Sequence, residues 1–191
     1  MPDLGTVACP VLRTCELRVT GDYMLLTNHV LSGALIGALT RRPLLAFAAG
    51  VASHFALDAM PHWGDWASPR HFLRAAVPDG LISLAAMGAI AALAPAERRP
   101  AVVAGMTGAA LPDIEKPTTL WFGWSPFPAA VDGFHVRIQR EARGRAHVEV
   151  LAASAFAAGA LLALRRRPAA GGQPTISAGS ASRPGRPGRR A

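Results

Sequence analysis

Charge and aromatic surface are scarce in this chain: 17% of its 191 residues are charged and 6% are aromatic, with a single tyrosine. A soluble domain carries roughly 25% charged residues, so little of this chain is built to face water. Cysteine is nearly absent. Cys9 and Cys15 are too few for a disulfide framework, and their C-x5-C spacing is not that of a zinc knuckle. The chain has no G-x-S-x-G elbow, no Walker loop, no G-x-G-x-x-G after a strand and no C-x-x-C. The usual signatures of serine hydrolases, nucleotide-binding folds and dithiol redox proteins are therefore missing. Acidic residues are absent from 165 onward, where seven arginines supply nearly all of the +8 net charge and leave +1 for the rest. No basic stripe is interleaved with aromatics, which excludes a nucleic-acid partner as the reason for that charge. A basic tail after an apolar helix instead marks the cytoplasmic side of a membrane.

What the chain has is apolar helix former. Hydrophobic residues make up 51%, mostly Ala, Leu and Val, and the mean hydropathy is +0.26. The length suits one domain. Five apolar stretches stand out: Leu25 to Thr40, Leu44 to Met60, Ala75 to Ala94, Ala101 to Leu111 and His147 to Leu164. Prolines 43, 61, 78, 100, 112 and 168 lie near their starts and stops, as helix punctuation does. Only the third and fifth approach the ~20 residues of a bilayer span. Five such helices with so little polar surface predict an all-α fold, a compact bundle of transmembrane or membrane-embedded helices, with a soluble helical core as the alternative. Gly33, Gly37, Gly105 and Gly108 would let those helices approach closely.

Three regions follow from this pattern. Residues 24–164 form the helical membrane domain. Residues 165–191, rich in Gly, Pro, Ser and Arg, are expected to be a disordered basic tail. Residues 1–23 are read as an N-terminal extension, either disordered or preceding the true start, because Met24 directly precedes the first helix. They lack the basic start and apolar core of a signal peptide. Between helices, Trp121 to Pro128 reads as an aromatic loop at a membrane interface, and Arg137 to Arg143 as a short surface helix. A weak repeat at an offset of 55 residues aligns Ala49-Gly50 and Asp58 with Ala104-Gly105 and Asp113.

The densest polar chemistry is Ser53-His54-Phe55-Ala56-Leu57-Asp58-Ala59-Met60-Pro61-His62. His54, Asp58 and His62 stand at i, i+4 and i+8 and share a face for as long as the helix lasts. If the helices alternate in direction, the starts of odd helices and the ends of even ones meet at one rim. That rim would hold His29, His54, Asp58, His62, Asp79, Asp113, Glu115, His135 and His147. The opposite rim receives Arg41, Arg42, Arg98, Arg99 and the arginines from 165, and would be the cytoplasmic one. Imidazoles and carboxylates on one face are the donor set of a divalent metal. Two readings stay open for them: metal ligands, or buried His–Asp hydrogen bonds that pin helices together. Asp79, beside Pro78, reads as a helix cap. Glu115, Glu141 and Glu149 are candidates for a general base.

These residues resemble the motifs of a bacterial group of membrane-bound metal-dependent hydrolases. Thr27-Asn28-His29 is similar to its N-terminal Thr-x-His. Gly108-Ala109-Ala110-Leu111-Pro112-Asp113-Ile114-Glu115 is similar to its Leu-Pro-Asp turn, with Glu in place of a final Asp. Ser53-His54-Phe55-Ala56-Leu57-Asp58 is similar to its Ser-His-x3-Asp helix, although here it precedes the Leu-Pro-Asp turn. Arg143-Gly144-Arg145-Ala146-His147 is similar to a third motif, with Ala142 and Val148 replacing its first His and its Ser. The resemblance spans roughly 24–164. It implies an enzyme of the bacterial inner membrane that holds zinc or manganese and hydrolyses an unidentified lipid or phosphoester. On that reading His29, His54, Asp58, Asp113 and His135 are metal ligands with His62 in reserve, and Glu115 accepts a proton from water. The alternative is a non-enzymatic membrane protein whose His and Asp groups pair helices or bind a structural metal.

Overall fold

Proline sets most of the helix boundaries. The structure, a computed structural model, describes residues 25–64 and 69–166. Helix α1 is Leu26–Thr40 and closes where Arg41 turns left-handed, at φ 56°, with its N–H on Gly37 O. Pro43, whose fixed φ suits a first helical turn, opens α2, Pro43–Asp58. The long helix α3 is Pro69–Leu93, α4 is Arg99–Ala110, and a 3-10 turn, Leu111–Ile114, carries α4 into α5, Glu115–Phe122. Helix α6 is Ala129–Ile138 and α7 is Ala146–Arg165. The two strands among the described residues, β1, His62–Trp63, and β2, Glu141–Ala142, pair in parallel with His62 opposite Glu141. The class is all-α.

The five apolar stretches are all helices, with three differences in detail. Helix α2 stops at Asp58 instead of Met60, because Pro61 cannot continue a helix and disfavours it at the residue before. His62 therefore leaves the His54–Asp58 face and enters β1. Helix α3 begins at Pro69, so Pro78 and Asp79 fall inside it instead of in its first turn. The expected aromatic loop, Trp121 to Pro128, begins with the last two residues of α5 and is otherwise non-helical as expected, whereas the expected helix at 137–143 lies earlier, as α6. Pro128 at the N-cap and Asp132 in the first turn favour a helix start there. The expected extension, 1–23, and nearly all of the expected tail lie outside the described residues.

Helix α4 is the centre of the bundle, gripped between α1 and α2. Glycine makes that possible. A Cβ on Gly33 would lie 2.3 Å from Gly105 O, and one on Gly50 2.4 Å from the same oxygen, so both neighbours touch α4 backbone to backbone. Such approach is how helices associate when solvent cannot drive them together. Beneath the glycines lies an apolar core of Val30, Ala34, Ala38, Ile90, Val102, Met106, Ala160 and Leu164, drawn from α1, α3, α4 and α7.

The outer helices are apolar in the opposite direction. Leu81, Ile82 and Leu84 on α3 and Val150, Leu151 and Leu162 on α7 are each more than half exposed. Residues His71–Leu93 and Ala146–Arg165 are long and apolar enough to cross a membrane, both at a hydropathy of 1.7. Only 17% and 22% of their most apolar windows are buried, so much of their apolar surface faces outward.

Both ends of the bundle are sealed by polar side chains from other helices. At one end, Asp79 of α3 accepts the Leu26 N–H at 2.6 Å and the Thr27 hydroxyl at 2.5 Å, and so caps α1, not its own helix. At the other, the buried Arg98 guanidinium donates to the carbonyls of Ala163, at 2.6 Å, and Arg166 at the end of α7. Arg98 is thus a C-terminal cap placed favourably on the helix dipole. It is not one of the solvent-facing charges expected of that rim.

Candidate metal centre

Helix geometry alone brings the first pair together. His54 and Asp58 are one turn apart on α2, and His54 Nε2 lies 3.1 Å from Asp58 Oδ2. The glycine contacts then set the ends of α1 and α4 beside that turn. His29 of α1 places Nε2 3.2 Å from Asp58 Oδ1 and stacks on His54 with ring centres 4.0 Å apart. Asp113, in the 3-10 turn after α4, places Oδ1 3.9 Å from His54 Nε2. Helix α6 closes the cluster from the side. His135 Nε2 is 2.8 Å from Asp58 Oδ2, 3.0 Å from His54 Nε2 and 3.8 Å from Asp113 Oδ1. All five side chains are buried.

The tautomers show what faces inward. His54 Nδ1 is 2.8 Å from the Ala109 carbonyl, which only accepts, so Nδ1 carries the hydrogen. His54 Nε2 then faces the carboxylates and His135. His135 Nδ1 lies 3.3 Å from Glu115 Oε1, a carboxylate–histidine pair of the kind that orients metal-ligating imidazoles. Few donors reach the carboxylates: Lys116 Nζ meets Asp113 Oδ1 at 2.7 Å, and His29 Nε2 meets Asp58 Oδ1 at 3.2 Å. Asp113 Oδ2 and His29 Nδ1 are buried with no hydrogen-bond partner among the described residues. Such orphans are rare and costly in a folded interior.

The donor set is one that could hold a cation. A four-coordinate ion with bonds of about 2.0–2.1 Å spaces its ligand atoms about 3.3 Å apart. His54 Nε2, His135 Nε2 and Asp58 Oδ2 lie 2.8 to 3.1 Å from one another, close to that value, and Asp113 Oδ1 lies 3.8 to 3.9 Å from the two imidazole nitrogens. Two overlapping sets, His29–His54–Asp113 and His54–Asp58–His135, can each hold a metal ion, their ligand atoms lying within 4.8 Å of one another.

Without an ion, a proton does part of that work. Burial pushes the His135 imidazole down, but its contacts with Asp58 and Glu115 outweigh burial and raise it to about 9. Burial pushes the Asp113 carboxyl up, and Lys116, at 2.7 Å, with His54 and His29 holds it below the usual carboxylate range.

Five of the sequence-derived ligands thus meet: His29, His54, Asp58, Asp113 and His135. His62 does not join them. It is buried on β1, its Nδ1 2.9 Å from Met60 O. Glu115 reaches the cluster only through His135 Nδ1, on the side of the ring away from Nε2. His71 and His147 are exposed. Sequence reasoning missed Gln139, whose Nε2 lies 3.1 Å from His135 Nε2 and 3.4 Å from Asp58 Oδ2. Its i+4 spacing from His135 was the available signal, hidden because α6 was not foreseen. Glu149, a general-base candidate from the sequence, instead accepts from Asn28 and from the Trp63 N–H, the latter at 3.2 Å.

No family model, curated protein or solved structure matches this chain.

Proposed function

We propose that this chain is a membrane-embedded, metal-dependent hydrolase. The observation that carries the reading is the meeting of three imidazoles and two carboxylates, from α1, α2, the 3-10 turn and α6, in two overlapping sets that could each hold an ion. Imidazole-rich donor sets suit zinc, and the two carboxylates suit manganese as well. A divalent ion held there would acidify a water and polarise a phosphoryl or carbonyl oxygen. The net reaction adds water across an ester bond and releases an acid and an alcohol.

The protein's own groups have separate tasks in this reading. His29, His54, Asp58, Asp113 and His135 hold the ion. The Ala109 carbonyl and Glu115 fix the rings of His54 and His135 through their Nδ1 atoms. That location makes Glu115 a positioning residue, and it is a poor acceptor for a proton released at the cluster. The unpartnered Asp113 Oδ2 is nearer to hand. The exposed apolar faces of α3 and α7 meet membrane lipid, and the proposed setting is the bacterial inner membrane with five embedded helices and a cytoplasmic C-terminal tail. Nucleic acid is not a partner in this reading.

The test is elemental analysis of the purified full chain. Close to one zinc or manganese per chain is expected, and the double variant His54→Ala/Asp58→Ala should carry none. Normal metal content in that variant would remove the proposal. A second reading has one observation in its favour: the same contacts link α2 to α4 through His54–Ala109 and α2 to α6 through Asp58–His135. A purely structural metal would show as loss of thermal stability on chelation without any hydrolytic activity, and plain helix pairing as no response to chelator.

A further inference from the structure

A groove of about 140 Å³ opens beside His135. Its walls are Val51 and Phe55 of α2, Leu111 and Pro112 of the 3-10 turn, and Phe127 and Val131 at the start of α6. Asp132 and His135 complete it. The same imidazole that lines the groove turns Nε2 into the His/Asp cluster, so groove and cluster share a wall. We propose that this groove is a hydrocarbon subsite, which takes the first methylenes of a membrane amphiphile whose ester head lies at the cluster. The ester head rests on the hydrolase reading; the hydrocarbon subsite does not.

Three observations point to that occupant. The first is size and lining. Interiors rarely leave voids larger than a water molecule, and an apolar cavity of about 150 Å³ is known to take a six-carbon ring. The second is that the wall is held in place. Ser125 Oγ accepts the Phe127 N–H at 3.1 Å and donates to Asp132 Oδ1 at 3.1 Å, which pins Phe127 against α6. Phe55 packs edge-on against Phe134 at 5.4 Å and against His135 at 5.6 Å. The third is the surroundings. Trp121, Phe122 and Trp124 before the groove, and Phe134 and Val136 after it, are all exposed. Indole rings at such a rim mark the depth where lipid heads meet their chains. A groove at that depth, open on one side and shared with the cluster on the other, lies where a lipid presents its ester.

The experiment uses the full chain, zinc-loaded, in detergent micelles, with three probes titrated by calorimetry: methyl phosphate, hexyl phosphate and n-hexanol. Hexyl phosphate should bind about thirty-fold tighter than methyl phosphate, the gain expected if roughly half of the five added methylenes are buried. Val131→Trp and Val51→Phe, which fill the groove from two different helices, should bring that ratio close to one and leave methyl phosphate unchanged. Val150→Trp, an exposed position on α7, should leave the ratio at its wild-type value and so correct for partition into the micelle. A wild-type ratio near one overturns the subsite and leaves the hydrolase reading intact. Saturable n-hexanol binding that both filling variants abolish, in a chain that holds neither zinc nor phosphate, keeps the subsite and removes the hydrolase. A ratio that survives both filling variants places the chain elsewhere and overturns the proposal.

Discussion

Two polar clusters sit near the start of α1 and are built to opposite rules. Around Asp79 each acceptor meets a donor. One carboxylate oxygen takes the Leu26 N–H, the other takes the Thr27 hydroxyl and, at 3.4 Å, its N–H, and Ser83 bridges Thr27 Oγ1 at 3.0 Å. Around Asp58, a few residues away along α1, three imidazoles crowd one carboxylate, and hydrogen-bonding is incomplete. His29 Nδ1 and Asp113 Oδ2 have no partner among the described residues, and two imidazole Nε2 atoms stand 3.0 Å apart. Both clusters are buried, and both link helices. The difference is that the first is complete with protein hydrogen bonds, whereas the second, even with Lys116 on Asp113 and a proton on His135, leaves buried polar atoms without a partner among the described residues. Burial of polar groups therefore says little about function; the sign of what is left unpaired says much more.

The largest effect should come from removing the carboxylate shared by all three imidazoles. Asp58→Ala is expected to abolish metal binding, to less than about a tenth of wild-type stoichiometry, because it deletes the contact common to His29, His54 and His135. Asp79→Ala should do the reverse, with metal content unchanged and stability lower by about 1–2 kcal/mol, the usual worth of a helix cap. If Asp79→Ala also lost the metal, the two clusters would be one. Metal analysis and denaturation of both variants decide this.

Next in size is the support of the cluster. Glu115→Gln should weaken metal affinity about 10–100-fold without removing any ligand, as loss of an orienting carboxylate does. A chelator competition series measures it. An unchanged affinity would show that Glu115 does not hold His135.

Acidity provides a smaller but diagnostic difference. In metal-free protein the folded His135 titrates at about 9, above its ordinary 6.5. The folded state then binds the extra proton between those values, so the stability it contributes is full below about 6.5 and lost as pH rises through 9. The melting temperature of chelated protein should fall by several degrees across that window, and that of metal-loaded protein should not, since a ligating Nε2 carries no proton to lose. Asp79→Ala should leave this pH dependence unaltered. An identical profile with and without metal would count against His135 as a ligand.

The helices could be read from the chain because each apolar run is long and bounded by proline, and prolines act locally. The error at α3 has the same origin. Pro78 is a strong local signal, yet a helix that began earlier, at Pro69, absorbed it, and Asp79 became a cap for α1 through contacts 52 and 53 residues away. His62 was misplaced on the helical face because an i+8 spacing holds only while the helix does. Gln139 and α6 were missed because short helices with mixed polarity carry little periodicity. Arg98 looked like a solvent charge, since nothing in its neighbours shows that three carbonyls at the end of α7 await it.

By itself, the order of residues determined the class of fold, the existence of the apolar helices, and the His54–Asp58 pair, whose spacing a single helical turn makes into a contact. Only the tertiary structure decided which other polar groups meet that pair. Glycines 33, 50 and 105 let three backbones touch, and that close approach brings His29 and the turn holding Asp113 to the same rim, with His135 added by α6. The reason is one of range: helical periodicity acts over four residues, whereas the positions of ligands from four separate segments depend on how whole helices pack.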